Sequence, residues 1–333
     1  MTETMGPSLV RVSLGSAILL RLISGKMDAK PSTIYLLSYH TAKCSADCGF
    51  CSQARTSKSR SDLLSRVMWP EFPVEEVVKR LKASGGAGIE RVCIQVMNYP
   101  TALSETVSLV RRLHSEADIP ISVSCQPLGL EQIKQLAESG VDRIGIPLDA
   151  PTKKLFERVK GKPYVWERQI KALKDAVKIM DRGRVSTHLI VGLGEKDKDV
   201  LRMVQWLVGI DVYPSLFAFT PIAGTRMEDQ PQPSIERYRR IQLAHYLITN
   251  AKGRFEDMQF DRRGGLVGFG VDDVFLRKVI NIGTAFMTSG CPGCNRPYYN
   301  ERPGGPLFNY PRRPSGKELA EVEEQIMAGG RSG

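Results

Sequence analysis

"TIYLLSYHTAKCSADCGFC" spans residues 33–51 and is the most informative stretch of the chain. Its first part is a short apolar run, which predicts a buried strand. Its second part carries Cys44, Cys48 and Cys51, separated by three and then two residues. A structural zinc site uses four ligands, whereas three ligands suit a metal centre that keeps one position open. The stretch therefore predicts a metal centre with an open position at the end of a strand.

Further short apolar runs alternate with helical patterns along the rest of the chain. These runs begin at Arg91, Ile121, Arg143, Ser186, Pro214, Asp257 and Thr284. Eight strands, each except the last followed by a helix, predict an α/β protein with a (β/α)8 TIM-type barrel over residues 33–290. An N-terminal helical segment, residues 1–32, should precede the barrel. A Pro/Gly-rich C-terminal extension, residues 291–333, should pack over one of its ends.

Composition narrows the class of protein. The chain has 333 residues, 42% of them hydrophobic and 25% charged, which is typical of a soluble globular protein. Its net charge of +11 fits either a merely basic surface or an acidic partner. Because no Lys/Arg block is interleaved with aromatics, nucleic acid is not expected. No apolar run is long enough to predict a membrane span, and seven cysteines without a secretory signal favour metal binding in the reducing cytoplasm.

The three-cysteine loop has the composition of an iron–sulfur site. Three thiolates leave one iron free for the amine and carboxylate of an amino acid, and Phe50 would offer an apolar face to a purine. The spacing resembles the signature of the radical S-adenosylmethionine (SAM) enzymes. That resemblance implies a catalytic [4Fe–4S] cluster on Cys44, Cys48 and Cys51, and one-electron cleavage of SAM to a radical that abstracts hydrogen. A zinc site completed by His40 is the alternative.

The resemblance extends to biotin synthase through "LLSYHTAKCSADCGFCSQAR", "CIQVMNYP", "SCQPLG" and "LIVGLGE". By this resemblance Cys93 and Cys125 stand where that enzyme keeps two ligands of a second, sulfur-donating cluster. The alternative is that both are small core residues. The chain departs from the pattern at the other two ligands, where alignment places Ser186 and Gln259. These departures count against a true biotin synthase.

The C-terminal "CPGC" motif provides Cys291 and Cys294. Together with Cys93 and Cys125 they make four thiolates, enough for an auxiliary [4Fe–4S] cluster. We expect all of them near the carboxyl ends of the strands, where barrels place their chemistry. Cys93 and Cys125 could instead lie deeper in the barrel, with "CPGC" holding a cluster near the mouth together with other groups.

The tail "CPGCNRPYYNERPGGPLFNYPRRP" resembles that of the archaeal two-component lipoyl synthase subunits. Single-chain lipoyl synthases have three cysteines ahead of the radical motif, and nothing similar precedes Cys44. The resemblance implies sulfur insertion into an octanoyl chain on a lipoyl carrier protein or peptide. It also implies a second lipoyl synthase subunit and an electron donor such as ferredoxin.

The resemblance to the radical SAM enzymes and biotin synthase suggests which residues contact SAM. They are Phe50, Gln95, Val96, Met97, Asn98, Asp149, Arg168, Ile190 and Gly192. Asp149 would bind the ribose hydroxyls, although it would also suit a helix N-cap. Arg168 would pair with the methionyl carboxylate, although a solvated helix charge is an equal alternative. Gly192 would permit close approach to the nucleoside or would simply form a tight turn.

Other functions remain open on the sequence alone. A biotin synthase-like enzyme would act on a free small molecule, and a radical mutase or lyase would need one working cluster. An iron–sulfur carrier or electron-transfer protein would need neither the open iron nor the "LIVGLGE" segment.

Overall fold

The computed structural model describes residues 6–84, 88–126, 128–301 and 304–328. Its strands are β1 (Leu9–Val12), β2 (Thr33–Ser38), β3 (Leu63–Leu64), β4 (Val67–Met68), β5 (Glu71–Pro73), β6 (Arg91–Gln95), β7 (Ile121–Ser124), β8 (Arg143–Gly145), β9 (Val185–Val191), β10 (Val212–Ala218), β11 (Gln259–Phe260) and β12 (Leu266–Gly268). Its α-helices are α1 (Leu14–Leu19), α2 (Val74–Ala83), α3 (Ala102–Glu116), α4 (Leu130–Glu138), α5 (Lys153–Lys160), α6 (Trp166–Ile179), α7 (Asp197–Gly209), α8 (Ile235–Thr249), α9 (Asp273–Ile282) and α10 (Gly316–Ala328).

The main sheet has the order β10-β9-β8-β7-β6-β2-β1-β5. Strands β2 and β6 to β10 run parallel to one another, with helices between them along the chain. At one edge, β1 pairs antiparallel with β2, and β5 pairs antiparallel with β1. The N-terminal segment, expected to be helical, therefore adds a strand to the sheet as well as the short helix α1. The α/β architecture with a mostly parallel sheet is confirmed.

The expected eight-stranded barrel is corrected to six parallel strands within the described residues. The run from Asp257 forms only β11, which pairs with β12 because a tight loop returns the chain: the Asp261 N–H donates to the Gly265 carbonyl at 2.9 Å. The run from Thr284 begins as a 3-10 helix, Thr284–Phe286, directly after Gly283, the C-cap residue of α9. Short apolar runs do not distinguish strands from such turns.

Alternation along the parallel strands separates a helix-facing side from an inner side. Ile34 and Leu36 of β2 pack into the main apolar core, whereas Tyr35 of the same strand lines an inner cavity. The inner positions of later strands carry small hydroxyl residues, including Ser122 and Ser215. Because side chains from all six parallel strands line this one cavity, the sheet curls around it.

The C-terminal segment contacts both β2 and β10, the first and last of the parallel strands. At the amino ends of the strands, the Thr33 hydroxyl donates to the Gly293 carbonyl at 2.9 Å, and the Arg91 Nε donates to the Pro292 carbonyl at 3.2 Å. At the carboxyl end of β10, the Thr220 hydroxyl donates to the Asn300 carbonyl at 3.4 Å. Residues 292–300 thus extend from one end of the partial barrel to the other.

Helix α10 packs against α8 beyond this segment. The Arg239 Nε donates to the Gln325 side chain at 3.1 Å, and Arg240 Nη1 donates to the Ile326 carbonyl at 2.9 Å. Among the helices that the structure describes, none is both long and apolar enough to cross a membrane.

Candidate active site

The three-cysteine loop follows the carboxyl end of β2. Its backbone folds on itself, since the Cys44 N–H donates to the Gln53 carbonyl at 3.0 Å and the Cys51 N–H donates to the Cys48 carbonyl at 3.1 Å. Cys44 and Cys48 are buried, Cys51 is half-buried, and all three are free thiols. The loop therefore presents three unpaired thiols from one short stretch, as the sequence spacing predicts.

Contacts from two distant segments fix the loop. The Gly49 N–H donates to the Val159 carbonyl near the end of α5 at 2.7 Å. The Gly49 carbonyl accepts from the Met227 N–H at 3.0 Å, and Arg226 forms an ion pair with Asp47 at 3.2 Å. The position of the thiols is therefore set by the fold and not by the loop alone.

A cavity lies against the loop and is lined by all three cysteines. Phe50, Gln95, Val96 and Met97 line it as well, as the resemblance implies. Asn98, which follows Met97, donates its backbone N–H to the Cys44 sulfur at 3.1 Å. The structure thus brings the loop and the 95–98 segment together.

Burial controls the ionisation of the thiols in this cavity. It raises the pKa of Cys48 to about 11 and the pKa of Cys51 to about 12. Both thiols are therefore protonated at neutral pH in the metal-free protein, and a coordinating metal would deprotonate them. Cluster loading must release protons here.

A buried ion pair also lines the cavity. The Lys160 ammonium donates to the Asp149 carboxylate at 2.5 Å, and the side chains of Lys160 and Asp149 are 1% and 7% exposed. The ammonium also lies 4.7 Å from the centre of the Tyr164 ring, whose hydroxyl accepts from Asn98 Nδ2 at 2.7 Å. Asp149 is thus a cavity residue, whereas the N-cap of α5 is Thr152.

Three further residues expected to contact SAM do not line this cavity. Arg168 is exposed on α6 and does not line the cavity. This placement agrees with the alternative that Arg168 is a solvated charge on a helix. Gly192 forms a tight turn with φ of 110°, and a Cβ there would lie 2.9 Å from Phe219 Cβ. Ile190 lines the larger neighbouring cavity.

That neighbouring cavity is lined by Cys93, Cys291 and Cys294. The Cys294 sulfur lies 3.4 Å from the Tyr35 hydroxyl, and the Ser122 hydroxyl donates to the Cys291 sulfur at 3.6 Å. Burial, followed by the nearby Cys291 and Cys294, raises the pKa of Cys93. The three thiols therefore form one electrostatically coupled group, to which β6 and the C-terminal segment contribute.

Arg296 is the main cation of this group and was not identified from the sequence. Its guanidinium lies 3.9 Å from the centre of the Phe217 ring and donates to the Ser289 carbonyl at 2.6 Å. Burial is the largest single effect and lowers its pKa, but Cys294, Tyr35, Tyr238 and Cys93 together raise it more, and the pKa is raised overall. Arg296 therefore stays charged beside the thiols.

Cys125 does not join the group. It lies in the main apolar core with Val123 on the helix-facing side of β7, whereas Ser124 faces the cavities. Burial alone raises its pKa to about 12. The expected set of four thiolates is therefore corrected to three, because the alternation of side chains along β7 turns Cys125 away.

The "CPGC" motif lies near the amino ends of the strands, and not near their carboxyl ends as expected. The Gly293 carbonyl is bonded by residues that begin β2, whereas Cys44 follows the end of β2. Ser186 lines the larger cavity, and Gln259 lies on the exposed hairpin strand β11, outside it. Thiols therefore approach the interior from both ends of the strands.

The two cavities adjoin each other. Their shared lining residues are Phe50, Cys51, Leu64, Gln95, Ser124, Asp149 and His188. Burial lowers the pKa of His188 to about 4, so its ring is neutral at pH 7. Cys51 thus lines the same cavity as Cys93, Cys291 and Cys294.

The donor set fits iron–sulfur clusters. Among the described residues, no group of three or more His, Cys, Asp or Glu side chains converges as the ligands of a single metal ion would. A cluster places its thiolate ligands on different irons, so each sulfur need only reach its own iron.

Comparison with known proteins agrees with this chemistry. Residues 38–207, slightly more than half of the chain, match the family model described as the Radical SAM superfamily. The chain therefore belongs to the radical SAM superfamily, which implies a [4Fe–4S] cluster and SAM.

Similar curated proteins are biotin synthases. That of Prochlorococcus marinus (strain MIT 9211) is 27% identical over 66% of this chain and 65% of its own length. That of Aquifex aeolicus (strain VF5) is 28% identical over 65% of this chain and 64% of its own length. In both comparisons the chain spans slightly less than two thirds of the relative.

Among solved structures, methylornithine synthase (PylB) matches with a TM-score of 0.51 and 16% identity over 66% of this chain and 62% of its own. The maturase HydG matches with a TM-score of 0.51 and 14% identity over 67% of this chain and 51% of its own. These likenesses establish the shared fold.

Proposed function

We propose that this radical SAM enzyme inserts sulfur into a carbon chain, as one component of a lipoyl synthase. The observation that carries the proposal is the convergence of Cys93, Cys291 and Cys294 on a cavity that Cys51 also lines. An enzyme with one working cluster has no need of a second, coupled set of thiols there. The proposed acceptor is an octanoyl chain on a lipoyl carrier protein or peptide.

The chemistry is divided between the two thiol groups. When bound, the cluster on Cys44, Cys48 and Cys51 together with SAM supplies radical chemistry, and an auxiliary cluster supplies sulfur. The chain's own contribution is positioning and exclusion of water. Phe50 and Phe217 line the space with apolar rings suited to an alkyl chain.

The auxiliary group has three thiolates, one fewer than expected from the sequence. Such a set leaves one iron of a [4Fe–4S] cluster without a cysteine ligand. Ser122 and Arg296 are among the polar residues that line the same cavity. The Arg296 charge would offset part of the negative charge of a cluster held there.

Proposed partners follow from the same assignment. The net charge of +11 would favour encounter with an acidic carrier domain. A second lipoyl synthase subunit and a reductant such as ferredoxin complete the proposal.

A biotin synthase-like enzyme acting on a free small molecule is the second candidate, because the similar curated proteins are biotin synthases. Against it, Ser186 offers a hydroxyl in place of a thiolate, and Gln259 lies outside the cavity. Product analysis with an octanoylated carrier domain and with free octanoic acid separates the two candidates.

Iron and sulfide content after anaerobic reconstitution tests the second cluster. The variant with Cys44, Cys48 and Cys51 changed to Ala should keep about four irons per chain. The matched variant with Cys93, Cys291 and Cys294 changed to Ala should also keep about four.

Cys125→Ala is the control, and it should keep the wild-type content because Cys125 lies in the apolar core. If the first triple variant binds no iron, the auxiliary cluster and the sulfur-insertion proposal both fail.

A further inference from the structure

Lys160 is a buried cation without a role in the sequence-based assignment. Its ammonium has three N–H donors. Among the described residues one hydrogen bond is found, to the Asp149 carboxylate at 2.5 Å. Because the side chain is 1% exposed, the other donors have no access to bulk water. A buried charge with spare donors is costly unless a ligand engages it.

The ammonium is held in a fixed place relative to the cysteine loop. Lys160 is the last residue of α5, and the preceding Val159 carbonyl accepts from the Gly49 N–H at 2.7 Å, between Cys48 and Phe50. The Tyr164 ring, 4.7 Å away, restricts the ammonium on another side. The charge is therefore placed beside the loop before any ligand binds.

Lys160 is also the one Lys or Arg among the described residues that line the cavity of the three cysteines. Gln126 lines the same cavity, and its buried side-chain oxygen has no hydrogen-bond partner among the described residues. Spare donors on one residue and a free acceptor on another complement an α-amino acid, which carries a carboxylate and an amine.

We infer that Lys160 binds the methionyl carboxylate of SAM, in the role that the sequence resemblance gave to Arg168. Arg168 is exposed and outside the cavity, so it does not meet a ligand seated there. The inference rests on the radical SAM class of the chain and not on sulfur insertion, because binding is measured without an acyl acceptor. Its failure therefore leaves the sulfur-insertion proposal untouched.

The test compares SAM with decarboxylated SAM, which lacks the carboxylate. Equilibrium dialysis on anaerobically reconstituted protein gives the two dissociation constants and hence their ratio for each variant. The SAM-induced change in the electron paramagnetic resonance spectrum of the reduced cluster is a second readout. Lys154→Met is the matched control, since Lys154 is exposed on the same helix.

Lys160→Met should weaken SAM binding by about tenfold or more, the usual loss for a hydrogen bond between charged groups. Binding of decarboxylated SAM should change far less, so the preference for SAM shrinks. Lys154→Met should keep the wild-type ratio. Lys160→Gln is a milder second variant, and the ratio is unaffected by any unfolded fraction.

Two results would overturn the inference. Equal weakening of both ligands would show that Lys160 only maintains the local structure. Selective loss of SAM binding in Arg168→Gln, with the ratio unchanged in the Lys160 variants, would return the role to Arg168.

Discussion

The buried pair of Lys160 and Asp149 predicts a large and specific loss of stability when one partner is removed. The side chains are 1% and 7% exposed, and their N–O distance is 2.5 Å. Removing one member of a buried pair leaves an uncompensated charge and costs about 3–5 kcal/mol. Lys160→Met should therefore lower the free energy of unfolding by about 3 kcal/mol or more.

The chain provides a matched control at the surface. Lys153 and Glu167 have the same N–O distance of 2.5 Å, but their side chains are 53% and 61% exposed. Exposed pairs contribute about 0–1 kcal/mol, because water and salt screen them. Lys153→Met should therefore change the free energy of unfolding by less than about 1 kcal/mol. Burial is the main difference between the two pairs.

The assay is urea unfolding under anaerobic conditions, with the double variant Asp149→Asn/Lys160→Met completing a cycle. Removing both charges leaves no unpaired ion, so the double variant should be more stable than Lys160→Met alone. The reasoning is refuted if Lys160→Met costs no more than Lys153→Met. It is also refuted if the double variant shows no recovery, because the loss would then come from packing.

Two further predictions concern the frame around the cavities. Gly192→Ala should destabilise by about 1–3 kcal/mol, because its φ is 110° and the new Cβ would lie 2.9 Å from Phe219 Cβ. Gly183→Ala, with φ of 73° and open space around it, should cost less in the same thermal unfolding series. His245 has its pKa lowered to about 4 by burial and bonds the Pro214 carbonyl through Nε2 at 2.6 Å. Since the unfolded chain binds this proton first, stability should be full above about pH 6.5 and decline toward pH 4. Because His188 contributes in the same direction, His245→Gln should reduce the slope of urea midpoints measured across that range without abolishing it.

The sequence identifies the cysteine loop and the parallel strands because both signals are local. Spacing within one loop does not depend on distant contacts, and short apolar runs between amphipathic segments predict a parallel α/β sheet. The last two predicted barrel strands, from Asp257 and Thr284, were wrong because they rested on apolar content alone. Apolar content alone does not distinguish a strand from a hairpin tip or a 3-10 turn, such as Thr284–Phe286.

The orientation of Cys125 was available from the sequence. In "ISVSC", Ile121 and Val123 alternate with Ser122 and Ser124, so the apolar residues face the helices and the serines face inward. Cys125 continues the apolar series. Alternation therefore predicts its burial in the core, and the resemblance to a ligand position was the weaker guide.

Lys160 and Arg296 carry no such local signal. Lys160 ends an amphipathic helix among other basic residues, and only the docking of α5 on the cysteine loop reveals that it is buried. Arg296 lies in a Pro/Gly-rich segment without periodicity. Its place beside Phe217 follows from tertiary contacts that no spacing predicts.

The path of the C-terminal segment links the first and last parallel strands to the second thiol group. Among the described residues no backbone pairing joins β10 to β2, and the other side of β2 pairs with β1. Residues 292–300 contact both the start of β2 and the chain that follows β10. The same segment supplies Cys294, whose sulfur lies against the Tyr35 hydroxyl of β2, and Arg296, whose ring contact is Phe217 of β10. Because the residues that contact both strands also carry or contact the thiols, the second thiol group is complete only when the segment is seated.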